Sequence, residues 1–255
     1  MVSTERFRLP LLHEVVDLSR LRRYVERLSL REIMKLLDKD FIVHSDGTIF
    51  EIHKIHINKI PVSLVKIFVE CPWSIITGLR IGEEFHDSGM FYMPMNNIRV
   101  VYYGRLIHEI YLSYLENNLN IPVEVNVETE VAVNGRLVKL IGRVDALMLD
   151  GSRIGVLEVK TGSRLLPGHY AQTWAYTHML ERMIGEDRMF RPVFVTPRGV
   201  ERPDRYYPWR EILQIVRTII TIVESRGDMP WSRARTCRRT RCPYYRWCPK
   251  AIGQS

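Results

Sequence analysis

Two acidic residues and a lysine, Asp145, Glu158 and Lys160, lie on a predicted β-hairpin and carry a specific chemical signal. The hairpin strands, 137–149 and 154–160, flank an aspartate–glycine turn. A loop with an even number of residues pairs odd positions of the first strand with even positions of the second. The three side chains then share one face. The basic residues expected on the same face are Lys139 and Arg143. The residues expected on the opposite, wholly apolar face are Val138, Leu140, Val144, Ala146, Met148, Leu157 and Val159.

The chemistry expected of the polar face is metal-assisted hydrolysis. Two neighbouring carboxylates repel each other unless a cation lies between them. Carboxylate oxygens favour hard divalent cations such as magnesium or manganese. Lys160 is expected beside the cation, where it would orient an attacking water or stabilise the charge that develops on a scissile phosphate. The alternative is a solvated strand face on which these residues form cross-strand ion pairs.

Asp145 followed by Glu158-Val159-Lys160 resembles the core motif of the PD-(D/E)xK nuclease superfamily. His108, on a predicted helix ahead of the hairpin, resembles the histidine motif of the RecB-like branch of that superfamily. The resemblance implies a metal site formed by the side chains of His108, Asp145 and Glu158 with the Val159 backbone carbonyl. It also implies catalytic roles for Asp145, Glu158 and Lys160.

Gln172 and Tyr176 resemble the QxxxY motif of the same branch. Their spacing of four residues places both on one face of a predicted helix. From there they would hold the substrate or the surroundings of the catalytic lysine. Arg143, on the polar face of the hairpin, is expected to contact substrate as well. Without the resemblance, His108 on its helix is typical of a surface or packed core histidine, and Tyr176 is typical of ordinary packing.

Four cysteines are the second group with a chemical signal: Cys71 stands alone, and Cys237, Cys242 and Cys248 follow near the end of the sequence. Thiolates in this arrangement can ligate zinc or an iron–sulfur cluster, and two disulfides or free buried thiols are the other possibilities. The arrangement resembles RecB-like nucleases with a [4Fe-4S] cluster, among them the CRISPR-associated Cas-four family and the AddB-type nuclease domain. The resemblance implies a structural cluster that joins Cys71 to the C-terminal segment.

Composition favours a polyanionic partner. The 255 residues carry a formal net charge of +8 and give a pI of about 9.4. Basic residues concentrate around the last three cysteines, interleaved with tryptophan and tyrosine, a pattern that suits phosphates and unpaired bases. The alternative is a solvated tail whose aromatics cover the cluster. No stretch approaches the roughly 20 apolar residues of a membrane span, and the start lacks signal-peptide order. We therefore expect a cytoplasmic protein.

The resemblance implies an α/β fold, namely a restriction-endonuclease-like PD-(D/E)xK core in which helices flank a mixed sheet. We expect three parts: an N-terminal helical and hairpin extension, the nuclease core, and a C-terminal iron–sulfur lobe closed by Cys71. Their expected ranges are 1–60, 61–230 and 231–255. The extension either packs on the core or forms a small winged-helix-like module. Within the core, the glycines and proline of residues 82–98 predict irregular structure.

These observations together predict a divalent-metal-dependent deoxyribonuclease with a [4Fe-4S] cluster and manganese or magnesium. The resemblance implies exonuclease or endonuclease action on single-stranded or end-exposed DNA. It also implies a role in CRISPR spacer acquisition, with other CRISPR adaptation proteins as partners. Two alternatives remain open: a viral or recombination and repair nuclease that trims ends, and a non-catalytic iron–sulfur subunit that binds DNA.

Overall fold

A computed structural model describes residues 9–85, 90–95, 97–162, 164–185, 188–226, 242 and 244–248 of the chain. The helices are α1 (Leu12–Val15), α2 (Leu18–Arg27), α3 (Leu30–Leu37), α4 (Val62–Glu70), α5 (Pro72–Glu84), α6 (Ile98–Leu119), α7 (Pro167–Ile184) and α8 (Trp209–Glu224). The strands are β1 (Phe41–Val43), β2 (Ile49–Lys54), β3 (Lys59–Pro61), β4 (Met90–Met95), β5 (Val123–Val133), β6 (Arg136–Asp150), β7 (Arg153–Val159), β8 (Met189–Thr196) and β9 (Gly199–Glu201).

The N-terminal helices form where the apolar spacing predicts them, and they pack along α6. Ser29 caps α3, because its hydroxyl accepts from the Glu32 amide while the Glu32 carboxylate accepts from the Ser29 amide. Val25, Ile33 and Leu37 are buried against the start of α6. The extension is therefore packed on the core in this structure.

A small antiparallel sheet, in the order β1-β2-β4, follows these helices. The predicted hairpin between β1 and β2 is confirmed. The irregular structure predicted for 82–98 is wrong, since α5 continues to Glu84 and β4 forms at Met90–Met95. Pro94 is tolerated because β4 lies at the sheet edge. Gly78 lets α5 lie against β4, where an added Cβ would come within 2.4 Å of the Phe91 ring.

The larger sheet has the order β3-β6-β7-β8-β9, with β5 paired to β6. It is mixed, since β6 runs parallel to β3 but antiparallel to β5 and β7. The predicted register of the hairpin is confirmed, because Asp150 pairs with Arg153 and Ala146 with Leu157. The mixed sheet flanked by helices confirms the α/β prediction. Strand β3 crosses the expected boundary at residue 60, and the division into three parts stays a prediction.

Helices cover both faces of β7, and all of its residues after Arg153 are buried. Ile154 and Val156 belong to the cluster that contains residues of α4, α7 and α8, whereas Leu157 and Val159 pack with α6. The prediction of one continuous apolar face is therefore wrong in part. Val138, Leu140 and Val144 join the first cluster, and Ala146 joins the second. We attribute the change to the right-handed twist that accumulates along a 15-residue strand.

Among the described residues, no single helix is long and apolar enough to cross a membrane. Taken together, α4 and residues 72–83 of α5 meet the length and composition test, but they are bent by 112° at their junction.

Candidate active site

The site forms where one edge of β6 has a gap between two partner strands. On this edge β3 pairs with residues 139–141 and β7 pairs with residues 146–150. Residues 142–145 lie between these two ladders. Asp145 is the last residue of this gap, and its Oδ2 accepts the Val159 backbone N–H at 2.6 Å. We call this point, where β6 and β7 separate, the fork.

The predicted catalytic side chains meet at the fork as two ion pairs. The His108 Nε2 of α6 lies 3.0 Å from Oδ1 of Asp145. The Lys160 Nζ lies 2.5 Å from Oε1 of Glu158. Glu158 is 3% exposed, and its other oxygen, Oε2, is buried with no hydrogen-bond partner in the described part of the chain. The fork thus concentrates two carboxylates, an imidazole and an ammonium group, of which Glu158 is the most deeply buried.

The charges at the fork change how tightly the groups hold protons. Burial, and then the neighbouring Asp145, raises the pKa of the Glu158 carboxyl. Burial alone would lower the pKa of His108, but the hydrogen bond and charge of Asp145 outweigh it and raise that pKa. Burial likewise opposes the charge of Lys160, yet Glu158 and Asp145 raise its pKa. Excess negative charge from two carboxylates therefore makes the fork a proton-binding, and hence cation-attracting, site.

Gln172 and Tyr176 lie behind the fork on α7 and are both buried. The Tyr176 ring fills the gap in β6, where Gly142 leaves it room. Its hydroxyl oxygen accepts from Gln172 Nε2 at 3.2 Å and is also hydrogen-bonded by the Arg143 backbone. These contacts suit the expected role of holding the surroundings of the catalytic lysine. Contact between these two side chains and substrate stays a prediction.

Comparisons with known proteins support the same interpretation. Residues 102–249, more than half of the chain, match the family model described as the PD-(D/E)XK nuclease superfamily. The chain belongs to this superfamily. A solved structure titled "Crystal structure of SSO0001" is similar in fold, with a TM-score of 0.50 and 19% identity over 92% of this chain and 96% of that chain. No curated protein matches the sequence.

A partly buried cluster of ionisable side chains lies beside the fork of this PD-(D/E)XK protein and was not predicted from the sequence. Lys66 and Glu70 of α4 and His169 of α7 lie next to Lys160. Burial, and then Lys160, lowers the pKa of Lys66 and brings that of His169 to about 3. His169 Nδ1 accepts the Leu166 N–H at 3.2 Å, which ties the imidazole to the start of α7. The available signal in the sequence was Lys66 itself, a charged residue among the apolar residues of α4.

A groove of about 1060 Å³ leads to the fork. Helix α6 forms one wall, and the end of α3 with Lys39 extends it, so the N-terminal extension borders the approach to the site. Arg143 lies in the groove, 60% exposed, with its guanidinium 3.1 Å from the Glu124 carboxylate. Basic residues that line the groove are Lys39, Arg105, Arg143 and Lys160.

Three of the four cysteines lie in the described part of the chain, and Cys237 lies outside it. Cys71 ends α4, Cys248 is buried in the largest apolar cluster, and Cys242 packs against that cluster. Burial, and then Cys242 and Cys71, raises the pKa of the Tyr244 hydroxyl, so that tyrosine is near both thiols. Tyr244 and Cys242 therefore lie close to Cys71, as a clamp between the C-terminal cysteines and Cys71 would require.

Nowhere in the described ranges do three or more His, Cys, Asp or Glu side chains form a group that could hold a metal ion as they stand. At the fork, His108 and Lys160 engage one oxygen each of Asp145 and Glu158. Superfamily members use divalent metals such as magnesium or manganese. The unpartnered Oε2 of Glu158, in a place that disfavours its negative charge, is the feature of this fork that suits such a cation.

Proposed function

We propose that the protein is a divalent-metal-dependent deoxyribonuclease that cleaves at the fork. The observation that carries the proposal is the convergence of Asp145, Glu158, Lys160 and His108 at the point where β6 and β7 separate. Side chains from a helix and two strands meet there inside a superfamily whose members are nucleases. Lys39, Arg105, Arg143 and Lys160 along the groove offer contacts to a phosphate backbone, and the acids Asp38, Glu109, Glu116 and Glu124 line the same groove.

His108, Asp145 and Glu158 would hold the cation, together with the Val159 carbonyl. In an extended strand the N–H and C=O of one residue point to the same edge. Since the Val159 N–H points to Asp145, its carbonyl is expected to face the fork as well. Magnesium or manganese bound here would lower the pKa of a water and neutralise charge on the scissile phosphate.

Lys160 supplies a cation fixed by the protein itself. Its ammonium group contacts Glu158 and is mostly buried, so it stays in one position beside the cleaved bond. A positive charge held in a water-poor site stabilises the developing charge of a transition state more than an exposed one does. Arg143, in the groove, would position the substrate backbone.

The finer assignments follow from the resemblance to the cluster-bearing RecB-like branch. We propose a [4Fe-4S] cluster on Cys71, Cys237, Cys242 and Cys248, and exonuclease or endonuclease action on single-stranded or end-exposed DNA. CRISPR spacer acquisition, with other adaptation proteins, is the proposed setting. The burial of Cys248, the packing of Cys242 against the same apolar cluster, and the nearness of Tyr244 to both Cys242 and Cys71 support the cysteine clamp.

Cleavage of labelled single-stranded DNA with magnesium or manganese tests the catalytic proposal. Asp145→Asn, Glu158→Gln and Lys160→Met should each lower the cleavage rate by at least 100-fold, on the order of a lost transition-state contact. Lys139→Met and Glu128→Gln are matched controls, because this exposed ion pair lies on the same sheet away from the fork. Both should cleave like wild type.

Two outcomes contradict the catalytic proposal. One is a wild-type protein that binds DNA but cleaves none with either metal, which would favour a binding subunit. The other is equal loss of activity in fork and control variants. Iron and sulfide analysis with visible absorbance tests the cluster separately, and zinc or thiol-free disulfides found there instead would overturn the iron–sulfur assignment.

A further inference from the structure

A second pocket lies at the opposite end of β7 from the fork. Two adjoining cavities of about 520 and 750 Å³ share Trp174, Met189 and Arg191. They border Arg153, at the start of β7, which is five residues before Glu158. At about 3.3 Å per residue, roughly 17 Å of strand separates this pocket from the catalytic carboxylate. Binding here would be independent of the fork.

Four exposed arginines surround the two cavities, and none makes an ion pair with an acid among the described residues. Arg188 donates to the Gly151 carbonyl, and Arg191 reaches only the Met189 sulfur. Of the two acids that line the cavities, Glu181 is engaged by His178 at 2.8 Å. The arginines are Arg153, Arg188, Arg191 and Arg202. The pocket thus has a surplus of positive charge suited to phosphates.

Aromatic rings stand beside these arginines. Tyr206 is 57% exposed, and its ring lies edge-on to Trp174 with 4.6 Å between centroids. Trp174 is held in place because its indole N–H donates to the Arg205 carbonyl at 3.0 Å and its ring stacks on His178. A fixed aromatic pair next to guanidinium groups matches the recognition of unpaired bases with their phosphates.

The pocket borders an open sheet edge, but that edge is poorly suited to an added peptide strand. Strand β9 pairs with residues 194–196, and within the described part of the chain no strand pairs with the first part of β8 on this side. Val195 hydrogen-bonds toward β7, so even-numbered residues of β8 face the open edge. One of them is Pro192, which has no N–H to offer. Strand addition by a peptide would lack that bond.

We propose that this arginine–aromatic pocket binds single-stranded nucleic acid. A base would stack on Tyr206 beside Trp174, and flanking phosphates would contact Arg191 and Arg202. Two joined cavities extend beyond one binding position, which favours a strand over a free nucleotide. The proposal does not depend on cleavage at the fork.

Photo-crosslinking of a 5-bromodeoxyuridine oligonucleotide to the full chain, in chelator so that no metal-dependent cleavage occurs, locates the contact directly. Crosslinks on peptides that contain Trp174 or Tyr206 are expected. Tyr206→Ala should weaken binding at this site about tenfold, whereas Tyr206→Phe keeps the ring and should bind like wild type. The double variant Arg191→Glu/Arg202→Glu should abolish the crosslink.

Arg217→Glu on α8 is the control for charge, because Arg217 is exposed and lies outside both cavities. If Arg217→Glu weakened oligonucleotide binding as much per reversed charge as the pocket variants do, binding would reflect general charge attraction and the proposed pocket would be overturned. Crosslinks confined to the catalytic groove would overturn it too. If equimolar thymidine monophosphate displaced the oligonucleotide and abolished the crosslink, the ligand of the pocket would be a free nucleotide and the proposal of a strand would be overturned. A chain that cleaves nothing but crosslinks here would refute the nuclease and keep the pocket.

Discussion

Glu158 and Asp145 show how a few residues set the chemistry of the fork. Glu158 lies on a strand that is buried on both faces, so its charge is unfavourable unless something compensates it. Lys160 forms an ion pair with one Glu158 oxygen, and His108 contacts one Asp145 oxygen in the same way. A bound cation would have to compete with these ion pairs and with protons for the same oxygens.

Metal affinity should therefore rise with pH. The raised pKa values of Glu158 and His108 mean that these groups keep a proton at higher pH than usual, and a cation must displace it. Each displaced proton should change the manganese affinity by up to about tenfold per pH unit. Calorimetric titrations in buffers of different ionisation enthalpy count the released protons directly. Affinity that is flat from pH 6 to 8, with no proton release, would contradict this expectation.

His169 predicts a separate effect of pH on stability. Its folded pKa is about 3, below the ordinary value of 6.5, because of burial and then Lys160 and Lys66. Between these values the unfolded chain binds a proton that the folded chain excludes. The free energy of unfolding should thus fall on acidification below pH 6.5, by up to about 1.4 kcal/mol per pH unit, and show no such effect above it.

His169→Gln should flatten this pH dependence, since glutamine cannot take up the proton but can still accept the Leu166 N–H. Urea denaturation at pH 7, 6 and 5 measures the difference. His13→Gln is the control, because His13 is exposed on α1 and should leave the slope unchanged. A wild-type slope in the His169 variant would refute the argument.

At the scale of elements, the gap in β6 depends on how α7 fits against it. An added Cβ at Gly142 would lie 2.3 Å from the Tyr176 ring, which two hydrogen bonds hold in place. Gly142→Ala should therefore lower the free energy of unfolding by about 1–3 kcal/mol and reduce cleavage below the melting temperature. Gly162→Ala is the control, since nothing lies within 4 Å of its added Cβ. Equal stability of both variants would contradict this packing.

The sequence indicated the hairpin more fully than it indicated the fork. Period-two alternation and the turn were enough to predict the register that pairs Ala146 with Leu157, next to Asp145 and Glu158, because both signals are local. The gap, however, depends on β3, a strand of three residues that pairs with β6 from about 80 positions away. So short a segment has no periodic signal of its own.

Three other features could not be predicted from the sequence, for similar reasons. Strand β4 was hidden by Pro94, whose effect on a strand depends on whether the strand lies at a sheet edge. The split of the β6 side chains between two clusters depends on strand twist, which alternation does not record. Lys66 and His169 approach the fork only through the packing of α4 and α7.

For the whole molecule, α6 joins the N-terminal extension to the core that carries the fork. Its His108 contacts Asp145 at the fork, while other positions on α6 contact the extension. The Tyr111 hydroxyl donates to the Pro10 carbonyl at 2.7 Å, and Arg99 donates to the Val25 carbonyl at 2.8 Å. The extension also borders the groove through Lys39. We therefore expect the extension and the core to unfold together.

Ile33→Ala tests this cooperativity. Ile33 is fully buried between α3 and α6, so its truncation should lower the free energy of unfolding by about 2–5 kcal/mol. Leu36→Ala, on the same helix but 46% exposed, should cost less than about 1 kcal/mol. All five tryptophans lie at residue 73 or later, outside helices α1 to α3, so urea denaturation followed by tryptophan fluorescence reports on the rest of the chain. If the extension were an independent module, Ile33→Ala would leave that transition unmoved while circular dichroism recorded an earlier, separate loss of helix. A shift of the tryptophan transition by the full amount would instead mean that packing on α6 ties residues 9–40 to the stability of the helix that carries His108.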